Sequence, residues 1–257
     1  MTLLRICISI FAINSLSFYR RFVSASGMGL QTIRGDGHGG KGVQILPKDN
    51  SYENVVIFLH GLGDSCDGWS QLMPEFGLSK TKYILPSASS IPISINGGYE
   101  MPGWSDIFGL DMEAKEDRVG FDESKKRIEK LIDAEIEKGI EPRKIILGGF
   151  SQGGATSLHT GLRYKATLGG IVALSTWLPF RDDFPDALSQ GGKNVPIFQV
   201  HGDQDAVVSF KWGKNTNDLL KTFMQIPPSF LTIQGMGHSS NPQEIRELKK
   251  FLESKLN

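Results

Sequence analysis

The stretch Ile145-Ile146-Leu147-Gly148-Gly149-Phe150-Ser151-Gln152-Gly153-Gly154-Ala155 sets a serine in G-x-S-x-G between an apolar β-rich run and a segment able to form a helix. A serine between strand and helix needs glycines two before and two after it. The turn is tight and strained, and a Cβ at either place would clash. Such a turn lifts the serine oxygen clear of a sheet and puts the Gln152 N–H at a helix start, where unpaired amides and the helix dipole favour a developing negative charge. The expected fold is therefore built around a strand-turn-helix unit.

The rest of the chain supports that unit. Short apolar runs recur at Val55–Leu59, Tyr83–Leu85, Lys144–Phe150, Leu168–Ser175, Pro196–His201 and Phe230–Gln234. Helical periodicity lies between several of them. Ile128, Leu131, Ile132 and Ile136 mark one face of a helix from about Asp122 to Lys138, ended by Gly139 and Pro142. Ile245, Leu248 and Leu252 mark another from about Pro242 to Leu256. Strands buried on both faces and separated by helices imply an α/β fold with a mainly parallel sheet flanked by helices. No repeat or low-complexity linker divides residues 41–257, which read as one domain.

Composition narrows the function. The chain has 257 residues, 28 Lys and Arg against 28 Asp and Glu, and 39% hydrophobic residues, which excludes collagen-like, coiled-coil and disordered classes. A balanced charge without a basic run gives no footprint for nucleic acid. Neither Cys7 nor Cys66 lies in a CxxC or Cys/His cluster, so neither zinc nor a structural disulfide is expected.

Residues 1–27 read as a leader. Met1 to Ile13 is apolar around Arg5, Arg20 and Arg21 follow, and the first acidic residue is Asp36. Three readings stand side by side: a signal peptide cleaved near Ser24-Ala25-Ser26, a mitochondrial presequence, or an extension upstream of a start near Met28. The chain lacks an Asn-x-Ser/Thr sequon, which disfavours a secreted glycoprotein. Residues 1–40 are set apart from the domain. Gly35-Asp36-Gly37-His38-Gly39-Gly40-Lys41-Gly42 superficially resembles a phosphate-binding loop, but no apolar strand precedes it and Gly42 stands where a Ser or Thr would hold magnesium. It reads as a flexible loop.

A serine hydroxyl needs a base, and the base needs an orienting acid. Of five histidines, His38 lies in the glycine loop, and His159 is eight residues along the helix after Ser151. Both read as structural or solvated. His60 and His201 each end an apolar strand in a His-Gly pair, where imidazole bonds the next loop. His238 falls after the last apolar strand and before the last helix, where the order serine, acid, histidine requires the base. Asp203 and Asp205, 52 and 54 residues beyond Ser151, are the two candidate acids, and pattern alone leaves both open. One would orient the imidazole while the other caps the loop through a backbone N–H. A second oxyanion donor is expected in the loop after an early strand, and the Leu62 amide, between Gly61 and Gly63, fits that place.

The blocks His60-Gly-Leu-Gly-Asp64 with Gly68-Trp69, Met101-Pro-Gly-Trp104-Ser-Asp106-Ile107, Gly148–Gly154, Ser175-Thr-Trp177-Leu-Pro179, His201-Gly-Asp-Gln-Asp205 and Gly237-His238-Ser239 occur in order. Together they resemble the acyl-protein thioesterase, lysophospholipase and small carboxylesterase family across residues 50–256. The resemblance implies an α/β-hydrolase without a large lid domain. It implies Ser151 as nucleophile, Asp205 rather than Asp203 as acid, His238 as base, and Leu62 and Gln152 as oxyanion amides. Implied substrates are fatty acyl thioesters on protein cysteines, with lysophospholipids and small esters as lesser ones, reached through transient contact with a membrane surface. The alternatives are a lysophospholipase or general carboxylesterase with no protein substrate, or an inactive hydrolase fold used for binding. No metal or organic cofactor is expected. The expected location is the cytoplasm, with secretion or mitochondrial import as the leader's alternatives.

Two departures stand out. Position 2 is Thr where membrane-attached relatives carry an acylatable cysteine, and Ser105 stands where many have an aromatic residue, a change expected to widen or reshape the acyl channel. Between Pro86 and Met112 the chain is neither clean helix nor clean strand but is rich in apolar residues. These pack as core beneath a loop, or several of them (Ile91, Ile93, Met101, Trp104 and Ile107, with Leu178 and Val207) line an acyl groove, where each buried methylene contributes about 0.8 kcal/mol.

Overall fold

The computed structural model describes residues 29–256, so the leader readings for residues 1–27 fall outside it. The described residues form ten strands, arranged in an eight-stranded sheet and a two-stranded hairpin. In chain order the strands are β1 (Leu30–Arg34), β2 (Gly42–Pro47), β3 (Asn54–Leu59), β4 (Thr81–Pro86), β5 (Ser90–Ile93), β6 (Tyr99–Pro102), β7 (Ile145–Phe150), β8 (Gly170–Leu174), β9 (Ile197–Gly202) and β10 (Ser229–Ile233). The helices are α1 (Asp67–Ser70), α2 (Arg118–Glu137), α3 (Gln152–Gly161), α4 (Phe210–Phe223) and α5 (Pro242–Leu256).

The large sheet has the order β1-β2-β4-β3-β7-β8-β9-β10. It is parallel from β4 to β10, and β1 and β2 join antiparallel at one edge. Side chains along the central strands sort by the period of two that a pleated strand imposes. Val55, Ile57 and Leu59 of β3 enter one core with Ile128 and Leu131 of α2 and Leu158 of α3. Val56 and Phe58 enter a second core with Trp69 and with Leu248 and Leu252 of α5. Both faces are thus covered by helices, which is why these strands read as continuous apolar runs. Among the described residues no large lid stands over the sheet, and no helix is long and apolar enough to cross a membrane.

Two sequence expectations change. β1, inside the stretch read as extension, pairs antiparallel with β2 and so belongs to the sheet. The glycine-rich segment is a braced turn and not a loose loop. Asp36, 2% exposed, accepts from the His38 and Gly40 amides and from Arg127 of α2. An aspartate that bonds its own following backbone pre-forms a turn, which a reading by composition misses. The apolar segment after Pro86 folds as the β5–β6 hairpin.

Candidate active site

β7 delivers the chain to Ser151, and α3 leaves from Gln152. Ser151 takes φ 53° and ψ −123°, a positive-φ conformation that residues with a side chain rarely adopt. Three contacts hold it there: its N–H donates to Leu174 O at 2.9 Å, and its carbonyl accepts from Thr176 Oγ1 at 2.7 Å and from the Ala155 amide at 3.0 Å. A strained backbone held by its surroundings is a common mark of a working residue.

The β10–α5 loop brings His238 onto this serine, with Nε2 2.9 Å from Ser151 Oγ. Its Nδ1 lies 2.8 Å from Asp205 Oδ2. A carboxylate only accepts, so Nδ1 carries the proton and the Nε2 lone pair faces the hydroxyl. The Phe150 ring packs against the imidazole at 4.8 Å between centroids. Asp205 is buried, and its Oδ1 accepts from the Val207 and Val208 amides, each at 2.9 Å. Burial pushes its pKa up, but hydrogen bonds from His201 and His238 outweigh that and hold it down at about 2. Asp203 instead accepts from the Gly235 amide at 2.7 Å, capping the loop. The two acids left open by pattern are thus separated by geometry.

The oxyanion candidates converge from neighbouring strands. Leu59 of β3 is the register partner of Gly149 of β7, so residues 60–62 and 150–152 leave the sheet side by side. A Cβ built on Gly61 would lie 3.5 Å from Ser151 Cβ. The Gln152 amide is in the first turn of α3 and has no acceptor within the helix. Its buried side chain accepts from the Trp104 amide at 2.9 Å and donates to the Ser105 carbonyl at 2.7 Å, a bridge that sequence gave no sign of.

The three other buried histidines make structural contacts. His159 is buried on α3, 2.9 Å from Asp122, and burial pushes its pKa down to about 4. His60 is likewise held at about 4, chiefly by burial. His201 donates from Nε2 to the Val208 carbonyl at 2.8 Å, steadying the Asp205 loop.

The expected groove residues divide. A pocket of about 650 Å³ is lined by Ile107 and Leu178 together with Phe108, Trp177, Trp212 and Leu219, and also by charged residues that include Asp111, Glu113, Arg118 and Asp183. Ile91 and Ile93 pack with Leu62 around Gly103, beside the oxyanion loop, and Ile93, 0% exposed, is corrected from groove wall to core. Met101 is half-buried and accepts from Asn96 through its sulfur. The half-buried Val207 serves through its amide on Asp205. Trp104 is corrected from groove wall to core: it is 2% exposed, its amide is bound by Gln152, and its indole N–H donates to His60 O at 2.8 Å. Ser105 is likewise buried against Gln152, so its small size does not open a channel. Glu116 was missed. It accepts from the Trp177 indole at 2.9 Å and the Phe180 amide at 2.6 Å, tying the segment before α2 to the loop after β8. Burial raises its pKa. Among the described residues no cluster of three or more His, Cys, Asp or Glu is placed to hold a metal ion.

The phospholipase/carboxylesterase family model matches residues 41–256. The chain belongs to that family. An acyl-protein thioesterase 1 of Cryptococcus neoformans is 41% identical over 229 residues, covering 82% of this chain and 96% of that protein. One of the same name from Neurospora crassa is 41% identical over 223 residues, covering 82% and 91%. Among solved structures, Arabidopsis thaliana SOBER1 superposes with a TM-score of 0.76 at 30% identity, covering 79% of this chain and 99% of that one. Zea mays acyl-protein thioesterase 2 superposes at 0.74 with 29% identity, covering 89% and 99%. The family's α/β-hydrolase architecture is the one described above, and the match begins one residue after the stretch first set apart as extension.

Proposed function

We propose that this family member is a serine hydrolase that cleaves fatty acyl thioesters from S-acylated protein cysteines through an acyl-enzyme. The observation that carries the chemistry is the 2.9 Å contact of His238 Nε2 with Ser151 Oγ, backed by the 2.8 Å contact of His238 Nδ1 with Asp205. The thioester substrate rests on relatives named acyl-protein thioesterase at about 41% identity over most of both chains.

In this reading His238 takes the Ser151 proton as the oxygen attacks the acyl carbonyl, and Asp205 stabilises the imidazolium that forms. The Leu62 and Gln152 amides receive the oxyanion, a contribution of roughly 3 kcal/mol for each good donor. The imidazolium returns its proton to the departing thiol. Water, deprotonated by the same histidine, then attacks the acyl-serine, and the imidazolium returns that proton to Ser151 Oγ as the acyl–oxygen bond breaks and the fatty acid leaves. Ile107 and Leu178, with the aromatic residues of the 650 Å³ pocket, are the proposed seat of the acyl chain. Ile91 and Met101, both half-buried, extend an apolar surface toward the oxyanion loop.

A second reading, a lysophospholipase or carboxylesterase without a protein substrate, is favoured by the family's own description. Hydrolysis of a palmitoylated peptide, lysophosphatidylcholine and a short p-nitrophenyl ester, compared as kcat/KM, separates the two. The thioester should lead. A preference for the lysophospholipid would shift the assignment to the second reading. Ser151→Ala should abolish both turnover and fluorophosphonate labelling in a folded protein, and persistent labelling would mean another nucleophile.

A further inference from the structure

His60 directly follows β3 and is 1% exposed, and the proposed cycle gives it no chemical step. Its contacts are specific. Nε2 accepts from the Ala88 amide at 3.0 Å, so the ring proton sits on Nδ1. Nδ1 lies 2.7 Å from the carbonyl oxygen of Gly61 and donates to it. That carbonyl also accepts from the Asp64 amide at 3.2 Å. His60's own carbonyl accepts the Trp104 indole N–H, and the Trp104 amide is in turn held by the Gln152 side chain.

The Gly61 carbonyl belongs to the same peptide unit as the Leu62 N–H. The only cis bond among the described residues is Phe184–Pro185, so this unit is trans, and its N–H points opposite to its C=O. A flip of this unit turns ψ at Gly61 and φ at Leu62, and glycine at 61 places no Cβ against the first of these rotations. A flip would replace a donor with a carbonyl dipole of the wrong sign. The imidazole fixes the carbonyl on its own side of the loop and so turns the Leu62 N–H away from the ring, in a loop whose Gly61 stands against Ser151.

From this we infer that His60 is a positioning residue of the oxyanion hole: its Nδ1–H locks the Gly61–Leu62 peptide so that the Leu62 amide is already aimed before substrate arrives. The inference rests on the hydrolase reading above. It extends further through Trp104, whose indole and amide join His60 to Gln152 and tie the two oxyanion donors into one hydrogen-bonded frame. A preorganised donor needs no reorientation as charge develops, which is where its catalytic value lies.

The test uses two near-isosteric variants. His60→Asn keeps an N–H donor on Cγ where Nδ1 was, while His60→Gln loses that donor and keeps an acceptor near the Nε2 position. Each is read as kcat per active site titrated with a fluorophosphonate, which counts only folded enzyme, and as affinity for a trifluoromethyl ketone whose adduct places an oxyanion in the same hole. His60→Gln should lose about 10²-fold in kcat with KM nearly unmoved, and inhibitor affinity should fall in parallel. His60→Asn should rescue kcat to within about fivefold of wild type. A Gln variant with wild-type kcat, or Asn and Gln variants impaired equally, would overturn the inference. Either variant alone is decisive if the other does not fold, because their expected results are opposite. A wild-type protein that takes no fluorophosphonate would overturn the hydrolase reading and this inference with it, an outcome distinct from labelled wild type with unaffected variants.

Discussion

Gly149 and Gly153 stand so close that a Cβ on the first would lie 2.4 Å from the carbonyl carbon of the second. A Cβ on Gly153 would in turn lie 2.3 Å from the Leu59 carbonyl oxygen. Backbone atoms on both sides cannot yield as a flexible side chain could, so Gly149→Ala or Gly153→Ala must displace the elbow itself. Each variant is expected to lose at least 10²-fold in kcat/KM, since misplacing a nucleophile by about 1 Å has that effect. Gly77→Ala, a left-handed helix end with open space around its Cβ, should alter stability modestly and leave activity alone. Steady-state kinetics beside a thermal melt distinguishes the two kinds of glycine.

Asp205→Asn and Asp203→Asn should separate the two acids. Asp205 holds the His238 ring, so its amide variant is expected to drop kcat by about 10³- to 10⁴-fold, the effect of presenting the wrong tautomer. Asp203 meets only the loop's backbone, through the Gly235 amide, and its variant should stay within about tenfold of wild type. The reverse ranking in a kcat measurement would move the acid to position 203.

The difference between these two residues also shows what the sequence could and could not convey. The elbow, the strand that precedes it and the histidine after the last strand are local patterns, and each lands where period and chain order place it. Asp203 and Asp205 share one turn, and only the direction of two side chains tells them apart, a matter of three-dimensional placement. Sequence leaves Trp104 between core and groove because it is large and apolar in an irregular segment. Its fate is decided by partners 44 and 48 residues away, His60 and Gln152, which no local window contains. The β1 strand was missed because residues 30–34 are half-buried or exposed at a sheet edge, without the apolar run that marks a central strand.

The β1–β2 hairpin yields a stability prediction. Arg127 reaches from α2 to Asp36 at 2.7 Å and to the Ser87 carbonyl at 2.8 Å, and the Asp36 carboxylate is buried. Although burial alone would raise its pKa, Arg127 and the His38 and Gly40 amides hold it below the usual range. Arg127→Met leaves that carboxylate without its cation and is expected to destabilise the fold by about 3 kcal/mol. A protein beginning at Lys41 loses the whole brace and exposes the edge of β2, and should melt lower than one beginning at Met28. Urea unfolding of the three proteins gives the comparison.

Glu244, in the first turn of α5, supplies the pH prediction. It is fully buried, neither carboxyl oxygen makes a hydrogen bond of ordinary geometry, and burial pushes its pKa from 4.5 up to about 7, with Ser240 pulling the other way. The folded state therefore prefers the protonated acid. A carboxyl whose pKa is raised by folding contributes its full stability below the unfolded value near 4.5, and that contribution is lost as pH climbs through about 7. By pH 8 the loss amounts to something on the order of 3 kcal/mol. Glu244→Gln keeps the shape without the charge. It should melt close to wild type at pH 4.5 and higher than wild type at pH 8, by up to roughly 10 °C. Calorimetry of both proteins across that range tests the sign directly: a variant whose advantage is independent of pH would show that Glu244 does not change its protonation on folding.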